Sequence, residues 1–145
     1  MVQTEYSAGV ILYRQLKTGR EYLLLHYPGG HFDFPKGHLE KEETEREAAF
    51  RELKEETGID TIIWIEGYRE KMHYFFSIKG QKISKYVTFF LARTTQKKVT
   101  ISFEHRDAVW LPYSEAYKKL TFEKGKEFLQ KAENFLKKFD QSETD

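Results

Sequence analysis

A chain of 145 residues, 39% hydrophobic and 32% charged, is long enough for one domain with a real core and too apolar to be disordered. It has no cysteine, which excludes disulfides, thiolate zinc sites and a cysteine nucleophile. No apolar run reaches membrane-spanning length and no signal-peptide pattern opens the chain, so a cytoplasmic location without membrane partners is expected.

The elements follow in chain order. Tyr6–Tyr13 and Glu21–His26 read as strands joined by a polar turn at Lys17-Thr18-Gly19. Phe34-Pro35-Lys36-Gly37-His38 reads as a loop in which Gly37 lets the backbone approach a ligand. A helix follows: Thr44 and Glu47 form a capping box, and Gly58 suits the left-handed position past its end. Ile62–Ser77 and Lys85–Thr94 are rich in β-branched and aromatic residues and flank a turn at Lys79-Gly80-Gln81. Val99–Phe103 and Ala108–Leu111 are short strands, and Ser114–Leu120 is a short helix. Lys126–Phe139 is a longer helix with Phe128, Leu129, Ala132, Phe135, Leu136 and Phe139 as a core-facing stripe. A frayed tail is expected at Gln141–Asp145. This order suggests one domain over 1–145, an α/β fold with a mixed sheet and helices on both sides.

The central helix carries chemistry. Glu52, Glu55 and Glu56 share one helical face, while Phe50, Leu53 and Thr57 point away and can pack on a core. Ala48 and Ala49 are expected to flank the carboxylates and keep that face open. Taken alone, such a run is most often a solvated acidic face. The other reading is a site for a hard divalent cation with oxygen ligands, Mg²⁺ or Mn²⁺. Net charge is +1, yet 40–60 holds nine acidic and four basic residues, whereas 69–98 holds eight basic residues and one acidic. An acidic platform beside a basic stretch suits a polyanion held from two sides.

Gly37 to Ile59 decides between the two readings. The segment fits GX5EX7REUXEEXGU, with U aliphatic, at Gly37, Glu43, Arg51, Glu52, Leu53, Glu55, Glu56, Gly58 and Ile59. This is the Nudix box, and the chain resembles a Nudix hydrolase. The resemblance implies the Nudix fold, an α/β/α sandwich, and metal-dependent hydrolysis of a nucleoside diphosphate linked to another group. Glu52, Glu55 and Glu56 are then the expected metal ligands, with the Gly37 carbonyl as a further one. Arg51 is expected to pair with Glu43 and hold loop to helix.

The resemblance extends past the box. SAGVILYR, LLLHY, GGHFDFPKGH, KYVTFFLA and FEHRDAVWL are similar to the asymmetrical diadenosine tetraphosphate hydrolases within that family. On that likeness Tyr74 and Phe122 stack a base, and His31, Lys36 and Lys85 contact the polyphosphate. Glu104 is a further metal ligand or, with Glu55, a candidate general base. Lys36 is also placed at the catalytic centre. His38 reads first as a structural histidine, although an imidazole there could assist the leaving group. A dinucleoside polyphosphate is the expected partner, cleaved by water to ATP and AMP. An RNA 5′ end is the alternative that the basic stretch also allows, as are other Nudix pyrophosphatases. A noncatalytic nucleotide sensor usually loses box carboxylates, and all are present here. Oligomeric state is not readable from these motifs.

Overall fold

Successive residues of β1 (Gln3–Leu16) serve two different cores. Ala8, Val10 and Leu12 pack on one side with Ala48, Ala49 and Leu53 of the first helix and with Ile59 just past its end. Ile11 and Tyr13 pack on the other with Phe128, Leu129, Ala132 and Leu136 of the last helix. The period of two in a strand produces this division, since alternate side chains leave opposite faces. The computed structural model describes residues 2–96 and 107–144, with side chains described as far as 140.

β1 pairs in parallel with β6 (Gln81–Arg93) and antiparallel with β2 (Gly19–His26). β3 (Phe32–Asp33) and β7 (Asp107–Pro112) both join β2, and β5 (Ile63–Ile78) joins β6. β4 (Lys36–His38) pairs with β1 through Ser7, Ala8 and Gly9. The result is a seven-stranded mixed sheet. α1 (Glu45–Thr57) covers one face; α2 (Tyr113–Lys119) and α3 (Glu123–Thr144) cover the other. This is the expected α/β/α sandwich. Among the described residues, no helix is long and apolar enough to cross a membrane.

The caps of α1 form as their residue types require. Thr44 accepts from the Glu47 N–H at 3.1 Å, and the Glu47 carboxylate accepts from the Thr44 N–H at 3.0 Å. Such a cap is worth about 1 kcal/mol. Gly58 is left-handed at φ 74°, and its N–H donates to the Lys54 carbonyl at 2.8 Å. The β5–β6 hairpin turns through Lys79 and Gly80, both at positive φ, which matches the right-handed twist of the strands.

Some of these expectations change. Lys36–His38 is a strand rather than loop, because it pairs with β1 and the Val10 N–H also donates to the Pro35 carbonyl at 3.0 Å. Ala48 and Ala49 are buried against the sheet, so they are core and do not border an open acidic face; Phe50 is only half-buried. In α3 the buried stripe ends at Leu136, with Phe139 exposed, and the backbone stays helical to Thr144. The strand expected at Val99–Phe103 lies outside the described residues.

Candidate active site

The acidic half of the site is built by α1 and β4. Arg51 ties them together. Its Nε and Nη2 donate to Glu43 at 2.7 and 3.0 Å, and Nη2 also donates to the His38 carbonyl at 2.8 Å. Its Nη1 donates to Glu52 at 3.0 Å and to Glu55 at 3.2 Å. One guanidinium thus fixes the loop before the helix, the strand beside it and two carboxylates. Gly37 lies against Glu52: a Cβ there would overlap the carboxylate, so the missing side chain at 37 lets Glu52 keep its present position beside β4.

The three box carboxylates have different surroundings. Glu55 is 58% exposed, Glu52 is 17% exposed at the side chain, and Glu56 as a residue is only 5% exposed. Burial, with the Glu52 carboxylate beside it, pushes Glu56 up to about 9 from its ordinary 4.5. The Tyr27 hydroxyl donates to Glu56 at 3.1 Å and lies 2.8 Å from the Phe34 carbonyl. Burial and the Glu56 charge hold that phenol well above its usual range. A buried carboxylate next to a second one is a site that a cation stabilises, and carboxylate and carbonyl oxygens suit a hard divalent ion. Glu52 and Glu56 therefore fit such a metal, and Gly37 lies against Glu52. Among the described residues, no group of three or more His, Cys, Asp or Glu is already arranged to hold one. Glu55 is turned to Arg51, and Glu104 lies outside the described residues.

The other half is an apolar cleft of 460 Å³ between β5 and the start of α3. Tyr74, Met72 and Phe89 line it from the sheet, and Phe122 and Gly125 from α3 and the residue before it. Tyr74 is 40% and Phe122 52% exposed, which a ring held for core packing would not be. Lys36 reaches the same cleft and pairs with Asp33 at 3.4 Å. His31 stacks on Tyr27 at 5.0 Å between ring centroids and meets Phe122 at 5.4 Å. The aromatic series Tyr27–His31–Phe122, stacked at its first contact and tilted at its second, thus runs from buried Glu56 to the cleft.

Lys85 is placed differently. It lies opposite Tyr74 in the β5–β6 register but is buried, 3.0 Å from His38 Nε2 and 3.7 Å from Glu5. Burial lowers its pKa, with the Glu5 charge acting against that. An ammonium only donates, so His38 is the acceptor of this bond. Sequence reading missed Tyr27, Asp33 and Glu5. Tyr27 follows Leu23-Leu24-Leu25-His26 at the end of β2, where a phenol facing a polar site is a recognisable signal; Asp33 and Glu5 show none.

A carboxylate cluster on a capped helix, beside an aromatic cleft on a mixed α/β/α sandwich, defines the class. The NUDIX domain model matches residues 4–132, and the chain belongs to the Nudix family. Within it, the chain is 35% identical to the rat bis(5′-nucleosyl)-tetraphosphatase [asymmetrical] over 142 residues, covering 90% of this chain and 94% of that one. Identity to the Caenorhabditis elegans protein of the same name is 34% over 138 residues, covering 92% and 97%. The crystal structure of a C. elegans Ap4A hydrolase binary complex superposes with a TM-score of 0.81, covering 91% of this chain and 97% of that one.

Proposed function

We propose that this protein hydrolyses diadenosine tetraphosphate asymmetrically, to ATP and AMP, with Mg²⁺ or Mn²⁺ as cofactor. The observation that carries this reading is the exposed aromatic cleft of Tyr74 and Phe122, joined through Lys36 to the Glu52–Glu56 pair. An aromatic pair stacks a purine base without demanding hydrogen bonds from it. His31, Lys36 and Lys85 take the polyphosphate.

Water attacks the phosphorus farthest from the anchored nucleoside. The new P–O bond forms as the bridging P–O bond to the anchored half breaks. The electron pair leaves on ATP, the water oxygen ends in AMP, and the water proton passes to a carboxylate, Glu55 or Glu104. Phosphoryl transfer depends on positioning and charge neutralisation, which Lys36 and its neighbours supply. Glu52, Glu56 and the Gly37 carbonyl, with Glu55 and Glu104 as further candidate ligands, would hold the metal, which would supply Lewis-acid polarisation.

The test is product analysis in ¹⁸O-water over dinucleoside polyphosphates, sugar nucleotides and a 5′-triphosphorylated oligonucleotide. The expected result is fastest turnover of diadenosine tetraphosphate with the label in AMP alone. Fastest turnover of the oligonucleotide, with a steep salt dependence, would assign an RNA 5′-pyrophosphohydrolase instead.

A further inference from the structure

Two donors from outside α1 close on the buried Glu56 carboxylate. They are the Tyr27 hydroxyl, at 3.1 Å, and the Lys36 backbone N–H. Tyr27 stands just past the end of β2 and Lys36 opens β4, so the chain on both sides of β3 reaches one glutamate of the helix. Tyr27 has little freedom of its own. Its N–H donates to the His31 carbonyl at 2.9 Å, and its carbonyl accepts from the Gly30 N–H at 2.8 Å. These bonds close a turn over 27–31. Its ring lies face to face with His31, 2° from parallel and 5.0 Å between centroids. His31 in turn meets Phe122 of the cleft. A phenol fixed at its backbone and across its ring presents its hydroxyl in one place. The contact of that hydroxyl with the Phe34 carbonyl, at 2.8 Å, ties β2 to the segment before β4 but does not account for the reach to Glu56.

Resting on the metal-site reading above, we infer that Tyr27 is a positioning residue for the metal: its hydroxyl holds the Glu56 carboxylate where, with Glu52, it would take the ion. The box carboxylates are then fixed from two sides. Arg51 donates to Glu52 and Glu55, while Tyr27 and the Lys36 N–H hold Glu56 from the strands. The kind of donor matters. A guanidinium on Glu56 would offset the charge that a cation needs, whereas a neutral hydroxyl orients the carboxylate and leaves that charge in place. Partners that orient a ligand without touching the metal are worth roughly ten- to a hundred-fold in metal affinity. Tyr27 acts through Glu56 and not on the reacting phosphate, so its contribution belongs to metal binding before any substrate is present.

The experiment reads metal binding without turnover. Mn²⁺ alone is titrated into EDTA-treated, substrate-free protein, and free Mn²⁺ is followed by electron paramagnetic resonance. The wild type is compared with Tyr27→Phe, with Glu56→Asp, whose carboxylate is one methylene short of the hydroxyl, and with the double variant. Tyr27→Phe removes only the hydroxyl and is expected to weaken Mn²⁺ binding about ten-fold. The Mn²⁺ concentration for half-maximal hydrolysis should rise by the same factor. In the Glu56→Asp background the same substitution is expected to change Mn²⁺ affinity by less than about two-fold, because the hydroxyl no longer has that carboxylate to hold. Unchanged Mn²⁺ affinity in Tyr27→Phe, whatever its melting temperature, overturns the inference and leaves the hydroxyl as a tie to Phe34. An equal loss in both backgrounds also overturns it, since the effect would then not pass through Glu56. Mn²⁺ that fails to bind the wild type, or that binds Glu56→Gln equally well, overturns the metal-site reading itself.

Discussion

The acidic half of the site and the aromatic cleft are organised in opposite ways. The acidic half draws on one stretch, Gly37 to Glu56, and Arg51 alone holds four of its parts. The cleft draws on β3, β4, β5, β6 and the start of α3, and its rings are held by packing rather than by ion pairs. Metal and phosphoryl chemistry needs charges fixed closely, which a capped helix and a bidentate arginine provide. Base binding needs an apolar slot that admits a flat ring, and exposed aromatics on separate elements leave that slot open.

Substitutions should separate the halves by kinetic signature. The largest effect is expected in the acidic half. Glu56→Gln should lower kcat/KM for diadenosine tetraphosphate by on the order of 100-fold or more at saturating Mg²⁺. Steady-state assays measure this, and turnover within a few-fold of wild type would remove the assigned metal site.

The cleft should respond more weakly, and in binding. Tyr74→Ala and Phe122→Ala are each expected to raise KM about ten-fold with kcat changed only a few-fold. Phe122→Tyr should behave as wild type, since stacking and not a hydroxyl is at stake. A pure kcat loss in either alanine variant would mean that the rings position the reacting phosphate rather than the base.

The smallest effect tests the charge balance without turnover. In chelated protein Glu56 titrates near 9 when folded and near 4.5 when unfolded. Between those values the folded state holds a proton that the unfolded state has released. This stability contribution is full below the lower value and is lost as pH rises through the higher one. Metal-free Glu56→Gln should therefore melt a few degrees above metal-free wild type at about pH 8, and together with it at about pH 4. Thermal melts in EDTA check the sign; a variant less stable than wild type at the higher pH would show that Glu56 is not penalised by burial.

The helical wheel shows how much of the site was legible. Capping residues, Gly58 and the hairpin turn declare themselves locally, because each answers a backbone requirement within a few residues. The carboxylates were legible as a group but not as individuals. Glu56 stands about 20° from Ala49 and about 60° from Leu53 on the wheel, whereas Glu55 stands about 160° from Leu53. Glu56 is therefore drawn under with the core and Glu55 left in solvent, once Ala49 and Leu53 are known to face the sheet. Placing Ala48 and Ala49 on the open side hid that difference. β4 was missed because three residues are too few to show a period. Lys85 read as one lysine of a basic stretch; its burial beside Glu5 and His38 depends on two other strands.

The sequence by itself determined the family, the capped helix and the carboxylate cluster along it, because those residues lie within one helix and the strand just before it. Only the tertiary structure decided which glutamate is buried, where Tyr74 meets Phe122, and how Lys36, His38 and Lys85 form a row beside β1. Those relations come from sheet register and from how α3 crosses β5. Pairing between segments far apart in the chain fixes both, and no local pattern encodes it.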